Sequence, residues 1–130
     1  MQSAIQKKSY GSATVFWLNK KLLMEKIENA AKKLKAAKSN VEQVVLFGSL
    51  AEGRATAFSD VDIIIIVNSS DKRFIDRPAE FQGYFTDLSV EVDLLVYTRG
   101  EIAKTPFADM ISRGEDRGGF VIAGTDIPSG

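Results

Sequence analysis

Val44-Val45-Leu46-Phe47-Gly48-Ser49, ten further residues, and then Asp60-Val61-Asp62-Ile63-Ile64-Ile65-Ile66-Val67 form the stretch that decides this fold. Val41 to Phe47 is mostly β-branched and apolar, with Glu42 and Gln43 near its start, and predicts a strand. Gly48 breaks it. Val61 to Val67 predicts a second strand, whose four consecutive isoleucines show no polar alternation. A strand of that kind is covered on both faces, which implies helices, or a partner, packed on a sheet.

Working outward, the chain before this stretch reads as support. Phe16, Leu23, Ile27, Ala30, Leu34 and Ala37 recur at helical steps, widened by Leu18 and Leu22, and predict a helix from about Phe16 to Ala37. Residues 1–13 show no clear period and are expected to form a flexible arm or irregular lead-in. Beyond the second strand, Pro78 suits a first helical turn, and Phe81, Tyr84, Phe85 and Leu88 make one apolar helical face. Glu91 to Tyr97 is a third strand. Arg99 to Lys104 can form a turn of helix, and Thr105-Pro106 reads as the start of a helix to about Arg113. Phe120 to Ala123 is a short last strand. Residues 49–53 can form one helical turn, followed by a loop to Ser59. The expected architecture is one α/β (α+β) domain over residues 14–123, built on a small mixed sheet, with a tail at 124–130.

Composition removes many chemistries. The chain of 130 residues has no cysteine and no histidine. Disulfides, thiolate metal sites, cysteine nucleophiles and imidazole bases are therefore excluded. Catalysis must use carboxylates, hydroxyls, lysine or arginine, and a side-chain metal site must suit a hard, oxygen-loving cation. The N-terminus lacks a signal-peptide pattern and the apolar run Ile63 to Val67 is too short to span a bilayer, so a cytoplasmic protein is expected. Net charge is zero but uneven: residues 1–40 hold nine lysines against Glu25 and Glu28, a balance of +7, and the remainder carries −7. Such asymmetry marks either a nucleic-acid or partner surface or a solvated helix face.

Asp60 and Asp62 stand two apart at the head of the second strand, so their side chains share a face about 6.6 Å apart along the axis. Like charges that close repel, and a divalent cation offsets the repulsion. A polar loop followed by a solvent-facing strand residue is the plain alternative. Two observations bear on the choice. Gly48-Ser49 sits between a strand and a possible helix start, where a backbone without Cβ can approach a phosphate. Asp93 lies within the otherwise apolar Val92 to Val96, and completes a three-carboxylate site if the third strand neighbours the second. Glu91 shares a face with Asp93 and is either a fourth acidic group or a solvated strand end.

Gly48-Ser49, the ten-residue interval, Asp60-Val61-Asp62 and a later strand aspartate together resemble the signature of the DNA polymerase β-like nucleotidyltransferase superfamily. Leu46-Phe47-Gly48-Ser49-Leu50-Ala51 and Val92-Asp93-Leu94-Leu95-Val96-Tyr97-Thr98 resemble its minimal nucleotidyltransferase branch, and the similarity covers roughly residues 20 to 113. The resemblance implies that fold, ATP as substrate and two Mg²⁺ ions. It implies that Gly48 and Ser49 hold the triphosphate, that Asp60 and Asp62 bind metal, and that Asp93 joins a second metal and helps deprotonate an acceptor hydroxyl. One departure stands out: the family's Ala-Arg-Gly is here Ala51-Glu52-Gly53, and Arg54, two positions on, is either a substitute phosphate ligand or a solvated loop residue.

For function the resemblance implies transfer of a nucleoside monophosphate, AMP, to a tyrosine of a HEPN-type helical partner, as the antitoxin of a toxin–antitoxin pair, in a hetero-oligomer or a homodimer. Two other readings stay open. One is an antitoxin that caps its partner without transfer, which Glu52 favours; the other is transfer to a small molecule or an RNA, for which the lysine-rich helix is the only feature.

Overall fold

The computed structural model describes residues 4–11, 13–48, 55, 60–88, 90–109 and 119–124. Strands β3 (Val41–Phe47) and β4 (Val61–Val67) occupy the ranges the sequence predicts and pair antiparallel at the middle of a four-stranded sheet. β5 (Val92–Thr98) lies parallel to β4, and β6 (Gly119–Gly124) lies antiparallel to β3, giving the order β5-β4-β3-β6. The sheet is therefore mixed.

Helix α1 (Lys20–Ala37) covers one face of this sheet. Leu23, Ile27, Ala31 and Leu34 from α1 meet Val44 and Leu46 of β3 and Ile63 and Ile65 of β4, with Phe81, Phe85 and Leu88 closing the same core. The other face is thinner. There Val45, Ile64 and Ile66 pack beneath Ile102 of the short helix α3 (Arg99–Ile102), with half-buried Phe47, Leu95, Tyr97 and Phe107 around them. The isoleucines thus alternate between two cores, which is why their sequence shows no polar period. The lysines of α1 are exposed or half-buried, as on a solvated helix face.

The N-terminal segment departs from expectation. β1 (Ile5–Tyr10) and β2 (Ala13–Leu18) form a two-stranded antiparallel hairpin where a lead-in and the first helical turn were predicted. Tyr10 pairs with Ala13, and Gly11 adopts a φ of 61°, so a Gly-led two-residue loop closes the hairpin. The signal was Gly11-Ser12 ahead of a run rich in β-branched and aromatic residues. Phe16 and Leu18 therefore belong to a strand, and the helix starts only after Asn19, whose Oδ1 accepts from the Leu22 amide at 3.1 Å.

One further difference is local. The Phe81, Tyr84, Phe85 and Leu88 face is present, but α2 (Pro78–Phe81) passes into a 3-10 helix over Gln82–Leu88. The Thr105 hydroxyl donates to the Ile102 carbonyl at 2.8 Å. Helical residues resume at 107–109, and the remainder of that expected helix lies outside the described residues.

Arg77, buried at the start of α2, ties this connection to β5 and α3. Its guanidinium donates to the Val96 carbonyl at 3.2 Å, to the Lys72 carbonyl at 3.0 Å and to the Glu101 carboxylate at 2.6 Å. Glu101 also closes a capping box with Thr98 at the head of α3. These bonds to the charged form pull the Glu101 carboxyl from its ordinary 4.5 down to about 2.

Because both faces of β4 are covered, Ile64→Ala and Ile65→Ala should each cost about 2–5 kcal/mol in urea unfolding; a sheet with one bare face would spare one of them. A carboxyl whose folded pKa is depressed contributes stability above its unfolded value and loses it as pH falls toward its folded value. Glu101→Gln should therefore flatten the stability-versus-pH curve between about pH 4.5 and 2. At pH 7 it should cost about 1–2 kcal/mol, below the full cost of breaking a buried pair because the Glu101 side chain is 44% exposed.

Candidate active site

The site is assembled where β3 ends and β4 and β5 begin. Val61 N donates to the Glu91 carbonyl at 2.8 Å, which sets the parallel register of the two strand starts. In that register Asp62 is directly opposite Asp93, and on its other side Asp62 is paired with Phe47. By strand alternation Asp62 shares a face with Ile64 and Ile66, and Asp93 with Leu95 and Tyr97. Both aspartates thus lie at the site end of the thinner core, and Asp60 precedes them on the same face. Asp60 and Asp93 are exposed, and Asp62 is half-buried.

Gly48 fits tightly against this acidic pair. Its φ is 79°, and a Cβ there would overlap the Asp62 carboxylate, with Cγ at only 3.1 Å. A residue with a side chain is thus disfavoured twice, by the left-handed backbone and by the collision. The glycine lets the turn after β3 press onto the Asp62 side chain.

Burial pushes the Asp62 carboxyl upward, and the neighbouring charges of Asp93 and then Asp60 push it in the same direction. A carboxylate with a raised folded pKa weakens the fold as pH rises through that value, so ionised Asp62 is a local cost at neutral pH. Carboxyls perturbed by burial and like charge concentrate at functional sites. The donor chemistry suits a hard cation: carboxylates cluster electrostatically, and the chain has neither imidazole nor thiolate to compete. The three carboxylates are not, however, drawn into one ready cage: among the described residues no group of three acidic side chains stands close enough to hold a metal ion. The register sets Asp62 opposite Asp93, and the charges of Asp93 and Asp60 both act on Asp62.

Of the other predicted site residues, Ser49 and Arg54 lie outside the described residues, as does Glu52. Between them and Asp60, Ala55 is buried in the core on the α1 side. Glu91 is exposed at the head of β5. Arg77 secures the segment joining β4 to β5, and the sequence signal for its partner is Thr98-Arg99-Gly100-Glu101, a Thr-x-x-Glu capping pattern that marks Glu101 as an anchored carboxylate.

Comparison with known proteins gives the family and the fold. Residues 24–116 match the nucleotidyltransferase domain family, which is most of the chain. A Methanocaldococcus jannaschii protein named for protein adenylyltransferase activity is 50% identical over 34 residues, a match spanning 26% of this chain and only 23% of that protein. Among solved structures, a Sulfolobus solfataricus chain named for nucleotidyltransferase activity superposes with a TM-score of 0.56 at 22% identity, covering 67% of this chain and 77% of that one. A toxin–antitoxin structure with AMP-PNP gives 0.54 at 23% identity, covering 75% and 73%. The chain belongs to the nucleotidyltransferase domain family, the family to which its Gly-Ser and paired-aspartate motif points. Among the described residues no helix is long and apolar enough to cross a membrane.

Gly48→Ala should lower stability by about 1–3 kcal/mol from the positive φ alone, read by urea denaturation, and should displace the Asp62 side chain from its place opposite Asp93.

Proposed function

We propose that this chain is a Mg²⁺-dependent nucleotidyltransferase that moves AMP from ATP to a hydroxyl of a HEPN-type partner protein, acting as the antitoxin of a toxin–antitoxin pair. The observation that carries the reading is the register placing Asp62 opposite Asp93 with Gly48 pressed against Asp62. The name of the Methanocaldococcus relative supports a protein acceptor, and the toxin–antitoxin structure with AMP-PNP supports both the nucleotide and the assembly.

In this reading Asp60, Asp62 and Asp93 would hold the metal, which when bound neutralises triphosphate charge and stabilises the attacking and leaving oxygens of an in-line displacement. Gly48 and Ser49 would present backbone amides to the β- and γ-phosphates, and Arg54 would add a positive charge in place of the family's arginine. Asp93 would accept the proton of the acceptor hydroxyl. The contribution of the protein is positioning and charge compensation.

A second reading, capping of the partner without transfer, is favoured by two observations: among the described residues no three carboxylates are gathered closely enough to hold a metal ion, and Glu52 stands in sequence where the resembled family carries arginine. Incubation with the HEPN-type partner, ATP and Mg²⁺, followed by intact-mass measurement, separates the two. Transfer predicts additions of AMP mass to the partner, reduced by about 100-fold or more in Asp62→Asn, since the loss of a metal-ligand charge amounts to several kcal/mol of transition-state stabilisation. Neutralisation of the partner with no addition, persisting in Asp60→Asn and Asp62→Asn, would establish capping instead.

A further inference from the structure

Helix α1 turns a lysine-rich face to solvent on the side of the sheet away from the aspartates. Its inner face packs with Ile63 and Ile65, whereas Asp62 shares the opposite face with Ile64 and Ile66. Lys21, Lys32 and Lys33 are exposed, and Lys26 and Lys35 are half-buried. Elsewhere in the fold, Lys72 is paired with Glu80, Arg73 with Asp76, Arg77 with Glu101 and Arg99 with Glu42. Among the described residues none of these five α1 lysines enters an ion pair, so the helix keeps its charge.

The helical period sorts the lysines by their neighbours. Lys21 has Glu25 four positions on, and Lys32 has Glu28 four positions back, so that band carries mixed charge. Lys26 and Lys33 are two turns apart, about 10.5 Å, with exposed Asn29 between them. No residue three or four positions from either is acidic. Composition then selects the partner. α1 contains no arginine and no aromatic residue, whereas protein interfaces are enriched in both and depleted in lysine. Single strands are held on aromatic stacking platforms, which this helix lacks. Lysine is a compact point charge suited to phosphate oxygens. A duplex sets about one negative charge per 1.7 Å, about sixteen along the roughly 27 Å of this helix.

We infer that the outer face of α1 is a docking surface for the phosphate backbone of a double-stranded nucleic acid, centred on Lys26 and Lys33 and flanked by Lys21, Lys32 and Lys35. The charge balance of +7 over residues 1–40 draws the duplex in at long range, and the unpaired ammonium groups take its phosphates at contact. With no arginine fork on the helix to match a base edge, the contact is to backbone and reads no sequence. The sheet separates this surface from the acidic face, so duplex binding is independent of the nucleotidyl-transfer reading and stands or falls without it.

The test is fluorescence anisotropy of the full chain with labelled DNA and RNA duplexes, two unrelated sequences of each, in salt from about 50 to 200 mM. Both sequences of a duplex should bind alike. Log affinity should fall against log salt with a slope of about −0.9 per phosphate engaged, reaching about −4.5 if all five lysines take part. The double change Lys26→Gln and Lys33→Gln should make that slope shallower by about 2 while the urea midpoint is kept, and Lys72→Gln, off this face, should leave the slope as it is. Absence of binding at about 50 mM salt, or a slope that survives the double change, overturns the inference. Polyglutamate that displaces the duplex at equal charge concentration would make the face a site for acidic protein and overturn it as well. So would a single strand bound as tightly as the duplex, or about a tenfold preference for one sequence. A preference between RNA and DNA duplexes names the natural source of the phosphates and upholds the docking surface.

Discussion

The pairing of β4 with both its neighbours is the constraint from which the rest of this structure follows. β4 places Ile63 and Ile65 in one core and Ile64 and Ile66 in the other, and a one-residue slip would carry Asp62 to the face covered by α1. The same register that buries the isoleucines sets Asp62 opposite Asp93. Core packing and site geometry are one decision. The cost is local: Asp62 is half-buried between two other carboxylates, and its raised pKa reports the strain of keeping it ionised there.

That strain is held by features on either side. Gly48 gives up a side chain so that the turn after β3 can close onto Asp62. Arg77 holds the connection leading into β5 by bonding the Val96 carbonyl and Glu101 together. The 3-10 helix that follows α2 then forms the wall of a cavity beside Asp93.

The uneven cover of the sheet also has a physical reading. The face under α1 carries long aliphatic contacts over the whole helix, whereas the face bearing the aspartates has only short α3 and the tilted ring cluster of Phe47, Tyr97 and Phe107, with Phe74 against Tyr97 and itself 41% exposed. The stabilising burden accordingly falls on the α1 side.

Much of this was legible in residue order. The bounds of β3 and β4, the two-faced burial of the isoleucines, the lysines on the outer side of α1 and the paired aspartates all follow from local pattern, because strand and helix periods act within a few residues. Gly11-Ser12 was legible too, but the helical period beginning near Phe16 concealed the hairpin. What only the tertiary structure decided is of a different kind. That β5 runs parallel to β4 with Asp93 facing Asp62, that Gly48 touches the Asp62 carboxylate, that Arg77 reaches Glu101, and that a cavity opens beside Asp93 all depend on contacts between residues far apart in sequence. Periodicity places a side chain on a face; only the packed sheet determines which side chain stands across from it.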